Sequence, residues 1–317
     1  MYVGHSLLAF ALAAGGADAL DRRPRTALAA GALAAGFAVV PDTDLAHTVF
    51  AVAASVVRTG SLDVFPTTQY VWTESWVVHR ALTHSLLVGG AAVVGVVGVA
   101  AARRRGREWA LVPVCVYAVL LWVAVSGLGA LGGATITLYA VAAGVLAWVG
   151  AGRGHSPGLV GAAAAVGLLT HPFGDVFMGT PPTFLYPLTG AAPISKITVL
   201  ADPTLNLLAL FGLEVALGWW ALATAVRVRG DDLGAYLRPR AALGAGYAGA
   251  VFVVPPPTLE LAYGWAGGLL AAGLLVGGAT LPTRERGLDR EAVLVAVTTG
   301  LAAVSLGTVA YVLAYLY

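Results

Sequence analysis

Charge is what this sequence has least of. Asp, Glu, Lys and Arg make up 11% of its 317 residues, against a hydrophobic share of 59%. A soluble domain carries about 25% charged residues to solvate its surface. A chain of this length with so little charge cannot cover a water-facing surface, and its mean hydropathy of +0.84 points to lipid as the main solvent. Cysteine is nearly absent too. Cys115 stands alone in an apolar run, which excludes an intrachain disulfide framework and a cysteine-based zinc site. Its expected role is that of a small buried hydrophobe. Lysine occurs once, at Lys196, and the net charge of +2 is spread over many connections. No basic patch therefore argues for nucleic acid.

What is present is a series of apolar runs. Crossing a hydrocarbon core of about 30 Å takes roughly 17–25 helical residues. Breaks at Arg, Pro and Gly clusters predict an all-α, polytopic transmembrane bundle of about ten spans. They fall near 3–20, 26–42, 80–102, 109–129, 131–150, 157–178, 203–226, 241–257, 258–281 and 291–316. The run 45–57 is too short to cross. Met1-Tyr2-Val3 lacks a basic leader region, so the first run reads as a retained helix. Frequent Gly and Ala, as at Gly89, Gly90, Gly95 and Gly98, suit close helix packing.

The arginines orient these spans. Arg22, Arg23 and Arg25, Arg103 to Arg107, Arg153, Arg227 to Arg240 and Arg284 to Arg290 fall in connections that alternate onto one side. That side holds fifteen of the eighteen Lys and Arg, leaving Arg58, Arg80 and Lys196 on the other. The positive-inside rule makes the Arg-rich side cytoplasmic and both termini extracytoplasmic. Segments 59–78 and 179–202 are the longest connections on the outer side and could roof a site.

Five of the six histidines lie in four polar clusters, each at the end of a span. They are Gly4-His5-Ser6, Pro41-Asp42-Thr43-Asp44 with His47, His79-Arg80-Ala81-Leu82-Thr83-His84-Ser85, and His171-Pro172-Phe173-Gly174-Asp175. The alternation brings all four to the outer face. His171 and Asp175 are four apart and share a helical face. Asp44 and His47, three apart, do the same if a helix starts at Asp44. Asp42 and Asp44 would share one side of an extended strand. His79 and His84 are five apart, so His79 is expected ahead of the helix, with Thr83 as its N-cap. Imidazole and carboxylate without thiolate suit Zn²⁺, with Mn²⁺ or Fe²⁺ as alternatives. The expected ligands are His5, Asp42, Asp44, His79, His84, His171 and Asp175; seven exceed one tetrahedral site, so one or two ions are expected. Intramembrane ionisable groups are costly and mark function. His155, in a loop, reads as interfacial; Asp202, Asn206 and Glu214 read as outer polar groups or interhelical bonds.

At these residues the chain resembles the YdjM-like family of membrane-bound, metal-dependent hydrolases. The likeness rests on Gly4-His5, Pro41-Asp42-Thr43-Asp44, the His79 to Ser85 block, His171 to Asp175, and Thr180-Pro181-Pro182 through Tyr186-Pro187. It covers roughly residues 1–190, leaving 191–317 as additional transmembrane helices. Two departures stand out: Leu45 follows the Pro-Asp-x-Asp where the family often has His, and an insertion before the last His motif adds two spans. The resemblance implies a metal-dependent phosphoester hydrolase, distantly like zinc-dependent phospholipase C and P1 nuclease.

The expectation is therefore an enzyme at the outer face of the cell membrane, acting on a phosphoester such as a phospholipid or lipid-linked phosphate. Its partners would be the bilayer and that substrate, with no nucleic acid. Asp44 would serve as general base and Arg80 would clamp the phosphate. The alternative is a divalent-metal transporter or channel using the same cluster as its ion site. That reading predicts polar residues continuing through the membrane toward the opposite face.

Overall fold

The computed structural model describes residues 2–46, 78–177, 179–258, 261–281 and 289–317. Among them every regular element is helical. The chain divides into two units, residues 1–197 and 198–317.

Unit 1 contains α1 (Tyr2–Ala19) and α2 (Pro24–Val39), then a 3-10 turn at Pro41–Leu45 and a π-helical turn at Val78–Thr83. These are followed by α3 (Leu86–Arg104), α4 (Leu111–Gly152) and α5 (Pro157–Gly174). Start signals are local. Pro24 and Pro157 occupy first-turn positions, where the missing N–H costs nothing. Ser156 caps α5 by accepting from the Leu159 N–H. The cap of α3 is Ser85, accepting from the Leu87 and Val88 N–H groups, and not Thr83 as the spacing suggested. The π turn takes up residues 78–83, so the α3 span begins at Leu86 and not near residue 80.

α4 is 42 residues long but is broken at Gly129, whose φ of 63° and ψ of −153° are open to glycine and strained for other residues. A Cβ placed on Gly133 would meet the Val125 side chain at 2.7 Å, and one on Gly132 would meet the Ala124 carbonyl at 2.6 Å. Eight residues of straight helix span about 12 Å, so these approaches require the chain to turn back on itself. The two halves form an antiparallel hairpin, matching the separate runs at 109–129 and 131–150.

Unit 1 is polarised end to end. Arg22, Thr26 and His155 line one cavity at the α1–α2 turn, while the Arg103 guanidinium lies 4.1 Å over Trp148 and packs on Gly152. The arginines at 22–25, 103–107 and 153 therefore share one end. The His and Asp clusters occupy the other. Between them runs an Ala- and Val-rich core around Ala34, Phe37, Val96, Ala143 and Leu168. Gly98 packs on Val112 and Pro113, and Gly167 on the backbone of Ala34 and Ala38. Outward-facing α4 carries Val114, Val119, Trp122, Val141 and Val145 on its surface. An apolar face of that extent suits lipid and would drive aggregation in water. Cys115 lies on an exposed part of α4 and is not buried as expected, because only one narrow stripe of α4 meets the core.

Unit 2 holds α6 (Pro203–Val228), α7 (Ala262–Gly278) and α8 (Arg290–Leu316), with 3-10 segments at Leu233–Tyr236 and Pro239–Phe252. Asp202 caps α6 through the Leu205 N–H, and Asn206 binds the Val199 and Leu200 N–H groups. Both side chains are occupied in ordering their own helix start. The expected α-helical span 241–257 is instead the 14-residue 3-10 segment 239–252. At about 2.0 Å per residue it still covers roughly 28 Å. A small cluster of Leu208, Trp265, Leu269, Val304 and Tyr311 forms the core of this unit.

Among the described residues, six helices are long and apolar enough to cross a membrane, with the α4 hairpin counted once. Val3–Ala19 and Ala262–Gly278 are shorter apolar helices. The count of ten is thus not confirmed among the described residues: the two halves that meet at Gly129 count as one helix, one expected span is a 3-10 segment, and two fall just under full length.

Candidate metal centre

Four separated segments meet at the end of unit 1 opposite the arginines. They are the first turn of α1, the 41–45 turn, the turn carrying His84, and the last turn of α5. His5, His84, His171 and Asp175 are all buried there. A buried carboxylate costs several kcal/mol unless it is paired and hydrogen-bonded, and Asp175 is densely partnered. Its Oδ1 lies 3.2 Å from His5 Nε2. Its Oδ2 lies 2.7 Å from an Arg80 amino nitrogen, 2.9 Å from His84 Nε2 and 3.4 Å from His171 Nε2. Asp42 Oδ1 stands 3.7 Å from His84 Nε2 and 3.6 Å from His171 Nε2. The two Nε2 atoms are 3.0 Å apart.

The backs of the two rings fix which nitrogen carries the proton. His171 Nδ1 is 2.7 Å from the Ala38 carbonyl oxygen, which only accepts, so the hydrogen sits on Nδ1. Thr83 donates its single hydroxyl hydrogen to Asp44 Oδ2 across 2.6 Å. The Thr83 oxygen, 2.9 Å from His84 Nδ1, is then left to accept from that nitrogen. In their neutral forms both rings therefore turn an Nε2 lone pair inward, toward each other and toward two carboxylate oxygens. One proton relieves one of these contacts; a divalent cation relieves all of them.

The donor set also fits such an ion in size. Ligand bonds of about 2.0–2.1 Å in a tetrahedron place neighbouring ligand atoms about 3.3–3.4 Å apart. His84 Nε2 and His171 Nε2 lie 2.9 to 3.7 Å from each other and from Asp42 Oδ1 and Asp175 Oδ2. Two overlapping trios, His5 with His171 and Asp175, and Asp42 with His84 and His171, each gather within metal-binding reach. His5 stacks on His171 with ring centroids 3.9 Å apart. It fits because position 174 is glycine: a Cβ there would collide with the His5 ring.

His84 precedes the α3 span. Burial disfavours its charged form, yet hydrogen bonds to Asp175 and Asp42 outweigh burial and hold its pKa above the ordinary imidazole value.

A strap closes over this turn. Thr183 N–H donates to the Arg80 carbonyl at 2.9 Å, Leu86 N–H to the Phe184 carbonyl at 2.9 Å, and the Ser85 hydroxyl to the Tyr186 carbonyl at 2.6 Å. Phe184 packs edge-on against Phe173, 5.1 Å between centroids. The segment after α5 that reads as a roof does lie on the site turn.

Of the expected residues, the structure brings together His5, Asp42, His84, His171 and Asp175, with Arg80 against Asp175. Asp44 is buried and reaches His84 through Thr83. Asp42 and Asp44 lie in a 3-10 turn, not an extended strand, so their side chains diverge around His84. The His79 backbone belongs to the π turn; its side chain and all of His47 lie outside the described residues. His155 is at the opposite end. The Ala38 carbonyl, Thr83 as a relay and Gly174 as a clearance were missed. Only the last two left a mark in the sequence, as motif residues flanking a ligand.

The family model described as YdjM inner membrane protein matches residues 1–237. That reaches beyond the 1–190 over which the motifs were visible. No curated protein and no solved structure matches the chain, so the expected likeness to zinc-dependent phospholipase C and P1 nuclease gains no support.

Proposed function

The chain belongs to the YdjM inner membrane protein family, and from that premise we propose that it is a metal-dependent phosphoester hydrolase working at the extracytoplasmic face of the membrane. The observation that carries this reading is the convergence of His84 Nε2 and His171 Nε2 on Asp42 Oδ1 and Asp175 Oδ2. Those four groups would hold a divalent ion, zinc by donor type, with His5 setting the Asp175 carboxylate and available to a second ion. Such an ion would supply Lewis acidity toward a phosphoryl oxygen and lower the pKa of water toward about 7.

The remaining roles fall to the protein. Arg80 brings a guanidinium to the ligand cluster, suited to steadying a phosphate with two parallel hydrogen bonds. Asp44 acts through Thr83, holding His84 in the tautomer that turns Nε2 inward. A His79 ligand and an Asp44 ligand or general base belong to the same proposal. The site's place at one end of an apolar bundle favours an amphiphilic substrate, a phospholipid or lipid-linked phosphate, entering from the lipid side.

The transporter alternative calls for a polar trail to the other face. Among the described residues of unit 1, each charged side chain in the buried class belongs to this cluster, and the core below it is mostly Ala, Val and Leu with Phe37, Ile136 and Tyr139, its buried polar groups uncharged. That pattern favours chemistry at a surface.

The test is metal analysis of the purified full chain, followed by hydrolysis of p-nitrophenyl phosphate and phosphatidic acid with added Zn²⁺ or Mn²⁺. Bound metal in the wild type, lost in His84→Ala and Asp42→Asn together with hydrolysis, is the expected result. A wild-type protein that retains no metal and cleaves neither compound would sink the proposal. Orientation is tested with single cysteines at Arg104 and Leu188 in a Cys115→Ser background. Impermeant reagent should label Leu188→Cys from outside and Arg104→Cys only after lysis.

A further inference from the structure

The arginine end of unit 1 holds a groove that the proposed chemistry does not use. It has a volume of about 660 Å³ and runs between α1, the start of α2 and the start of α5. Its walls are apolar and small: Leu12, Ala13, Ala17, Leu159, Ala162 and Val166. Its mouth is polar, formed by Arg22, Thr26, His155 and Ser156. The wall extends from Leu12 on α1 to Leu20 just past its end, and from Gly158 to Val166 on α5. Eight residues of helix on each side give a depth of about 12 Å below the arginine level.

Two wall positions face space that no side chain of the protein fills. Gly16 and Gly158 line the groove, and a Cβ built on either would meet nothing within 4 Å. Other glycines of the bundle either pack against a neighbour, as Gly31 does against Phe10 and Ala14, or face open space, as Gly90 and Gly144 do. An apolar slot of this size opening sideways in a membrane bundle will hold lipid chain, and its mouth decides which lipid. Asp18 and Asp21 belong to the same turn, yet Arg22, Arg23, Arg25 and Arg153 outnumber them there. Cationic groups above an apolar slot complement an anionic headgroup above an acyl chain.

We infer that this groove binds an anionic phospholipid of the leaflet on the arginine side. One acyl chain lies along Gly16 and Gly158, and the phosphate sits at Arg22, His155 and Ser156. The site is separate from the His/Asp cluster and stands whether or not that cluster is catalytic.

The experiment is native mass spectrometry of the full chain released from detergent after equilibration with phosphatidylglycerol or phosphatidylcholine. Wild type should retain phosphatidylglycerol in preference, and soluble glycerol phosphate should not displace it. Gly16→Leu and Gly158→Leu, which fill open space, should each cut retained lipid by about tenfold. Arg22→Gln should cut phosphatidylglycerol by about fivefold and leave phosphatidylcholine unchanged. Unaltered elution and thermal unfolding would certify each variant as folded, and a variant failing either check is replaced by Ala162→Leu. Equal retention of the two lipids, or undiminished phosphatidylglycerol in the folded Leu variants, would overturn the inference. So would a lipid-free dimer that Gly16→Leu dissociates, since the occupant would then be a second copy of the chain.

Discussion

His171 holds the carbonyl of Ala38 through Nδ1 at 2.7 Å, and so a backbone group of α2 decides which way a ligand on α5 faces. The bond joins two helices at the same point where the cluster is assembled. It makes His171 a structural tie as well as a proposed metal donor, and the two duties can be separated.

His171→Asn should separate them. An Asn amide nitrogen falls near the position of Nδ1 and can still donate to Ala38, but nothing replaces Nε2. Metal affinity is expected to fall by more than the roughly 10–100-fold that loss of an outer partner costs. Thermal stability of the metal-free protein should stay closer to wild type than in His171→Ala. Isothermal titration with Zn²⁺ and unfolding scans in detergent read the two effects. Equal metal affinity in wild type and His171→Asn would remove His171 from the ligand set.

Thr83→Val deletes the hydroxyl between Asp44 and His84 while preserving shape. It should weaken metal binding by roughly 10–100-fold, as second-sphere losses do. Thr83→Ser should restore it. If valine and serine behave alike, the relay has no part in holding His84.

Gly174→Ala places a methyl group against the His5 ring. Overpacking of this kind costs typically about 1–3 kcal/mol, so the unfolding temperature should drop. Adding His5→Ala to that variant should recover much of the loss. A pair whose effects simply add would show that the two residues do not press on each other.

The pH dependence has opposite signs in the two states of the protein. The folded-state pKa of His84 is raised by Asp175 and Asp42. Its contribution to stability in metal-free protein is therefore full below the unfolded value of about 6.5 and lost as pH rises through the folded value. Metal competes with that proton, so Zn²⁺ affinity should climb over the same interval. Unfolding temperatures measured with and without Zn²⁺ should diverge as pH increases above about 6.5. Curves that stay parallel would mean that His84 does not exchange a proton for the ion.

Much of this was visible in the residues. The four His/Asp clusters announced themselves because each interrupts an apolar run at its end, and helical spacing alone paired His171 with Asp175. The arginine clusters foretold the polarity of unit 1 for the same reason: charges at span ends have few places to go. What the sequence concealed were features set by backbone geometry. The Ala38 carbonyl carries no side-chain signature. The π turn before Leu86 reassigns capping from Thr83 to Ser85 and frees the Thr83 hydroxyl for Asp44. A 3-10 segment at Pro239–Phe252 reaches as far as a longer α-helix would, and its Gly- and Ala-rich composition does not distinguish the two. The reversal at Gly129 was legible as a break between runs, though not as a hairpin with Val125 facing Gly133.

The distance in sequence between His5 and Asp175 sets a timetable for biosynthesis. A nascent chain places His5 and Asp42 in the bilayer long before their partners on α5 have left the ribosome. Until then His5 and Asp42 lack the α5 partners that Asp175 and His171 supply in the folded cluster. The cluster is complete only when the fifth helix inserts, so capture of the proposed ion would report completed insertion, and a chain cut short of residue 171 would stay open and unfilled.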